Sequence, residues 1–119
     1  MALTKISGHA IDLSLVAMAY SHSVGDQPAL LWLYLDTAGS EADAERPTFF
    51  LPHEMIAPFF EAVRSNGEFM VIENFVINPK KIALIKDTGL IEFSLSNSKP
   101  LKVSIPPELV EPLLKALPK

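Results

Sequence analysis

The chain has no cysteine among its 119 residues, which excludes disulfides and thiolate zinc sites. Glycine is scarce, five in all. None falls in a GxGxxG or P-loop pattern, so the backbone cradles that hold nucleotide phosphates are missing. The three histidines, His9, His22 and His53, are scattered. No pair has the i, i+4 spacing of a metal-binding helix and no HxH occurs. Basic residues are outnumbered, ten Lys and Arg against fourteen Asp and Glu, for a net charge of −4. Such a surface does not by itself attract phosphate polyanions. The longest continuous apolar run, ALLWLYL (29–35), falls far short of the roughly 20 residues that span a bilayer. The N-terminal stretch is interrupted by Asp12 and preceded by a single lysine, a poor secretion signal. These absences lead to the expectation of a cytoplasmic protein with no membrane contact, no metal and no cofactor.

What is present is a unit written twice. FFLPHEMIAPFFEAV (49–63) lies over VSIPPELVEPLLKAL (103–117), with Pro52 on Pro106, Glu54 on Glu108, Pro58 on Pro112 and Ala62 on Ala116. Upstream, LLWLYL (30–35) lies over LIEFSL (90–95), and AIDLSLVAM (10–18) over VINPKKIAL (76–84). A repeated supersecondary unit cannot bury its apolar face alone. The expectation is a single domain over 1–119, with repeats at 1–67 and 68–119 sharing one core.

The fold class expected is α+β: two β-β-β-α units, predominantly antiparallel, with helices on one side or at the ends. Strands are read at 10–20, 29–36, 48–51, 69–77, 82–86, 90–95 and 101–105. The 29–36 strand is apolar on both faces, Trp32 and Tyr34 against Leu31, Leu33 and Leu35, which places it inside a sheet. Pro52 and Pro106 open helical segments, and Asn66–Gly67 ends the first. Pro58 and Pro112 restrict regular helix to the residues that follow them. Ile56, Phe59, Phe60 and Val63 then face the sheet, as do Val110, Leu113, Leu114 and Leu117.

No residue pattern points to catalysis. His53 beside Glu54 is not an acid–base pair, because adjacent helical residues diverge by about 100°. Glu54 and Glu108 suit a first helical turn electrostatically. Glu41, Asp43 and Glu45 alternate like the start of a calcium loop but lack the central Gly and distal Glu. Trp32, Tyr34 and Phe93 lie on central strands, where aromatics form core or stack bases. The basic clusters are Lys80–Lys81 and Lys99 with Lys102.

Residues 74–117, NFVINPKKIALIKDTGLIEFSLSNSKPLKVSIPPELVEPLLKAL, resemble the second half of a LytTR-type DNA-binding domain. The resemblance rests on Asn74, Phe75, Val76, Ile77 and Asn78, then Ile82, then Val103–Ser104 before the last helix. IDLSLVAMAYSHS (11–23) is similar to the family's opening strand pair, and FFLPHEMIAPFFEAV to its middle strand and helix. The family's basic and imidazole readout positions correspond here to Met70, Ile72 and Glu73, and its common arginine to Pro106. The order of elements is also similar to that of Pur-type single-strand-binding repeats.

The resemblance implies a LytTR-like scaffold and a non-enzymatic regulatory or protein-interaction module with weak or lost DNA binding. The alternative is a small transcription regulator, on duplex or single strand, using Lys80, Lys81, Lys99 and Lys102. Phosphate contacts supply most of the affinity in such complexes. Edge strands make a homodimer the expected assembly. A third reading, an enzyme near His53, requires a deep polar pocket.

Overall fold

A computed structural model describes residues 3–6, 8–36, 48–95 and 100–117 of the chain. The acidic loop with Glu41, Asp43 and Glu45, and Lys99, lie outside the described residues. The fold grows from a local device used twice. Asp12 accepts a hydrogen bond from the Ser14 amide and caps a single 3-10 turn over Leu13–Leu15. Asn78 accepts one from the Lys80 amide and caps the same turn over Pro79–Lys81. Asp and Asn suit both sites because a short side chain with an oxygen reaches the amide two residues on.

Around these turns the two halves run in the same order. β1 (Thr4–Ile6) and β2 (His9–Ile11) form a hairpin ahead of the first turn. Then follow β3 (Val16–His22), β4 (Leu30–Leu35), β5 (Phe49–Leu51), a 3-10 turn over His53–Met55 and α1 (Ile56–Asn66). The second half has hairpin β6 (Met70–Ile72) and β7 (Phe75–Ile77), then β8 (Ile82–Ile85), β9 (Leu90–Phe93) and β10 (Leu101–Ser104). A 3-10 turn over Pro107–Leu109 and α2 (Val110–Ala116) close it. Each half thus carries a leading hairpin in addition to the expected β-β-β-α. In the first half the expected 10–20 strand divides at the capped turn. In the second, Glu73 takes a left-handed φ of 56° that folds the expected 69–77 strand back on itself.

Every described strand pair is antiparallel. Three sheets result: the β1-β2 hairpin, β10-β9-β8, and a five-stranded sheet in the order β5-β4-β3-β7-β6. The hairpin of the second half therefore completes the sheet of the first. β4 lies inside that sheet, as its continuous apolarity requires. The domain class is α+β, mostly antiparallel, with two short helices.

Strand pairing also corrects the superposition of the halves. Met18 pairs with Tyr34 and Leu84 with Glu92, while the Asp36 amide bonds Leu15 O and the Ser94 amide bonds Lys81 O. Leu33 thus corresponds to Ile91 and Leu35 to Phe93, two residues from the LLWLYL-over-LIEFSL alignment. A two-residue slip keeps every side chain on its face, which is why hydropathy alone does not expose it.

The buried side chains among the described residues form two clusters, one on each face of the five-stranded sheet, and each draws on both halves. The first joins Ile6 and Ile11 of the hairpin, Phe59, Phe60 and Val63 of α1, and Val16, Leu31, Leu33 and Val76 of the sheet. The second joins Met18, Tyr34 and Ile77 of the opposite face to Ile91, Phe93, Leu101 and Val103 and to Leu113 of α2. Trp32 packs partly buried on this second side, and Leu35 on the first. Both helices begin before their inner prolines, at Ile56 and Val110. Pro58 and Pro112 sit in the first turn, where the missing N–H has no intrahelical acceptor. Gly67, at φ 77°, ends α1 and donates its amide to Val63 O. Leu114 is exposed rather than facing the sheet, because α2 is only two turns long and meets the sheet through Val110 and Leu113.

Candidate functional site

Of the lysines singled out by sequence, the three described, Lys80, Lys81 and Lys102, stand beside or opposite carboxylates. Lys81, in the second capped turn, reaches back to the end of β4, where its Nζ lies 2.9 Å from Asp36 Oδ2. The Asp36 side chain is only 3% exposed and that of Lys81 22%. This pair ties the second half to the first and holds the Lys81 ammonium away from an incoming phosphate. Lys80, one residue earlier, is exposed, with Glu68 Oε1 3.7 Å away. Lys102 stands on β10 directly opposite Glu92 of β9. Each of the three described candidate lysines thus has a carboxylate beside it or opposite it.

Removing one partner of a buried ion pair leaves the other charge uncompensated. Because the Lys81 end reaches solvent, Lys81→Met is expected to cost about 2 kcal/mol, the scale of one charge-assisted hydrogen bond. A lower urea midpoint at unchanged m checks this. No shift in midpoint would mean that Asp36 is held without Lys81.

The histidines are placed separately. His53 points Nδ1 at the Ala29 carbonyl, 2.9 Å away, at an exposed position. His22 lies edge-on to Trp32, ring centroids 4.9 Å apart. His9 lies on β2. Among the described residues no three His, Asp or Glu side chains gather as a metal site.

Aromatic residues form a ladder across one face of the five-stranded sheet. Phe50 pairs with Trp32, Trp32 with Tyr20, and Tyr20 with Phe75. Their rings meet at 5.1, 5.5 and 5.4 Å between centroids. Tyr34 and Phe93 are fully buried, so those two are core. The Tyr20 and Tyr34 hydroxyls meet at 3.3 Å.

Apolar surface is exposed elsewhere. An open groove of about 380 Å³ runs between the β1-β2 hairpin and β4-β5, lined by Leu3, Ala10, Leu33, Leu35, Phe49 and Leu51 among others. Leu3 is 61% and Phe49 53% exposed at its rim. On the three-stranded sheet, β8 carries Leu84 at 44% exposure, and no described strand pairs with its outer edge. Apolar side chains grouped at a groove and at an open edge are the surface features that mark protein contacts. Sequence reading missed this edge. The signal available was Leu84 itself, an apolar residue superposed on Met18 in the repeat.

Fold and surface define the class as a small α+β domain of antiparallel sheets with an open strand edge and an apolar groove. Comparison with protein-family models, with curated proteins and with solved structures gives no match. No helix among the described residues is long and apolar enough to cross a membrane.

Proposed function

We propose that the chain is a non-enzymatic regulatory or protein-interaction module on a LytTR-like scaffold, with weak or lost DNA binding. The carrying observation is the bond from Lys81 to the buried Asp36, which engages one of the candidate phosphate contacts. Lys80 near Glu68 and Lys102 opposite Glu92 add to it, because a phosphate approaching either lysine also meets a carboxylate. The exposed groove and strand edge supply the contact surface that such a module uses. The scaffold assignment rests on the resemblance carried by residues 74–104.

Fluorescence anisotropy with random duplex and single-stranded oligonucleotides at two salt concentrations tests the reading. The expected result is no binding tighter than about 10 μM at low salt, in the weak range of sequence-independent contacts. Lys80→Glu combined with Lys102→Glu is expected to change nothing. These two sites are chosen because Lys81 also stabilises Asp36. Tighter, salt-sensitive binding lost in the double variant would overturn the proposal and install the DNA-binding regulator in its place.

A further inference from the structure

The five-stranded sheet contains a worked example of how this chain covers its own edge. β7 seals the outer edge of β3, with Met18 opposite Ile77, Ala19 opposite Val76 and Tyr20 opposite Phe75. The Asn78 amide bonds Ala17 O and the Ser21 amide bonds Asn74 O. In an antiparallel ladder bonded pairs alternate with unbonded ones, so Ala19–Val76 is also a bonded pair. Among the described residues, the corresponding strand in the second half, β8, has no such cover, and the corresponding hairpin, β1-β2, pairs with no third strand.

We infer that β2 of one copy of this chain adds to β8 of another, in the register that β7 uses on β3. This rests on the interaction-module reading above and names the partner. The corresponding positions place Leu84 opposite Ile11, Ile85 opposite Ala10 and Lys86 opposite His9. Among the described residues, no strand takes up the backbone groups needed. Lys86 donates its amide to Leu90 O, so residue 86 faces β9 and the polar groups of Ile85 point out of the sheet. Thr4–Ile11 and Ile6–His9 correspond to the pairs of the second hairpin whose amides face inward, so Ala10 likewise points its own outward.

Side chains agree with the backbone. Met18 is fully buried in the cluster that includes Ile77 of the hairpin, whereas its counterpart Leu84 is exposed, and Val76 is fully buried whereas Ala10 is exposed. Phe49 is exposed at the groove rim, whereas its counterpart Val103 is buried beneath β3-β4. The groove beside β2 is thus the counterpart of the space that Met18 and Tyr34 fill in the second half. On addition Leu84 enters it.

Two substitutions make the added pairing weaker than its template. Asn78 and Asn74 each donate a side-chain amide to a β3 carbonyl, Val16 O at 2.9 Å and Ser21 O at 2.8 Å. Their counterparts are Asp12 and Gly8, which have no donor. Glu92 and Lys102 stand where the first half has Tyr34 and Thr48, so the outer face of β9-β10 stays polar and the contact is confined to β8. The association is therefore reversible. Because donor and acceptor edges differ, the contact is heterologous and builds rings or open chains.

The chain has no cysteine, so single cysteines report the register directly. Ala10→Cys and Ile85→Cys proteins are mixed under mild oxidation. A bonded antiparallel pair holds Cα atoms about 5.5 Å apart, within disulfide range. A covalent heterodimer is expected from this mixture and not from Ile85→Cys with Val24→Cys at the exposed 23–29 loop. Sedimentation equilibrium of the cysteine-free chain is expected to show mass rising with concentration. Leu84→Lys, at a position already exposed, is expected to weaken association at least tenfold. Asp12→Asn keeps the turn cap and restores the missing donor, and is expected to strengthen it about tenfold. Association unchanged by Leu84→Lys, with no selective cross-link, would overturn the β2–β8 site and leave the interaction module standing. A monomer at every concentration, in the chain and in Asp12→Asn, would also overturn it. Salt-sensitive oligonucleotide binding is a separate readout that would remove the module reading alone.

Discussion

Gly89→Ala is expected to destabilise the fold by about 3–5 kcal/mol, the sum of left-handed backbone strain and overpacking against a rigid neighbour. Gly89 closes the β8–β9 turn at φ 101°. A Cβ there meets the Ile105 carbonyl oxygen far inside van der Waals contact. That carbonyl cannot retreat easily, because the Ile105 amide donates to Gly89 O at 2.8 Å and fixes the two strands together. Gly25 provides the control. Its φ is 63° and nothing lies within 4 Å of the position a Cβ would take, so Gly25→Ala is expected to cost only about 1 kcal/mol. Urea midpoints of the two variants separate crowding from backbone strain. Equal losses would mean that β9 and β10 approach less closely than described.

Asn78→Asp is expected to cost about 3–5 kcal/mol at neutral pH, the range for a buried charge without a partner. Asn78 is 5% exposed and makes three hydrogen bonds that tie its own turn to β3. Its amide bonds Ala17 O, its Oδ1 accepts from the Lys80 amide, and its Nδ2 donates to Val16 O. Aspartate keeps the cap and replaces the donor by an oxygen facing a carbonyl oxygen. Burial raises the introduced carboxyl's pKa in the folded state above its ordinary value of about 3.9. The folded variant then holds a proton that the unfolded chain releases, so its stability falls as pH rises above about 4 and levels off beyond the folded pKa. The deficit relative to the natural chain, measured by denaturation, is expected to be larger at pH 7 than at pH 4. An equal deficit at both would mean that the new carboxylate reaches water.

Much of the local structure was legible because it is written in short-range chemistry. Pro52 and Pro106 mark the two 3-10 turns into helix, Asn66–Gly67 marks the end of α1, and Asp87–Thr88–Gly89 marks the β8–β9 turn. The apolar run 30–35 reveals an interior strand. The leading hairpins were not legible, since three-residue strands give too few positions for an alternating pattern. Nor was the exchange between halves. That β7 pairs with β3, and that no described strand covers the outer edge of β8, depends on which edges meet in space, and edge backbone carries no residue code. The same limit governs the lysines. Lys80–Lys81 reads as a basic pair along the chain, yet Asp36, far away in sequence, takes the second of them. The AIDLSLVAM and VINPKKIAL segments did hold one unused clue, an Asp set over an Asn, which distinguishes a cap from a cap that also clamps a neighbouring strand.

The borrowing of β6-β7 by the first sheet also dictates an order of events as the chain is synthesised. When residues 4–66 have emerged, α1 and strands β3 to β5 can already assemble, but Ala17, Ala19 and Ser21 still present bare backbone. That edge is sealed only when residue 78 follows the hairpin out. The rate-limiting closure of folding is therefore expected to be the docking of this late hairpin, a pairing that must first pay the loop entropy of everything between. Substitutions in β7 should slow refolding, whereas those confined to α2 should mainly speed unfolding. Nascent chains stalled before residue 70 are, by the same reasoning, the species most prone to pair with one another.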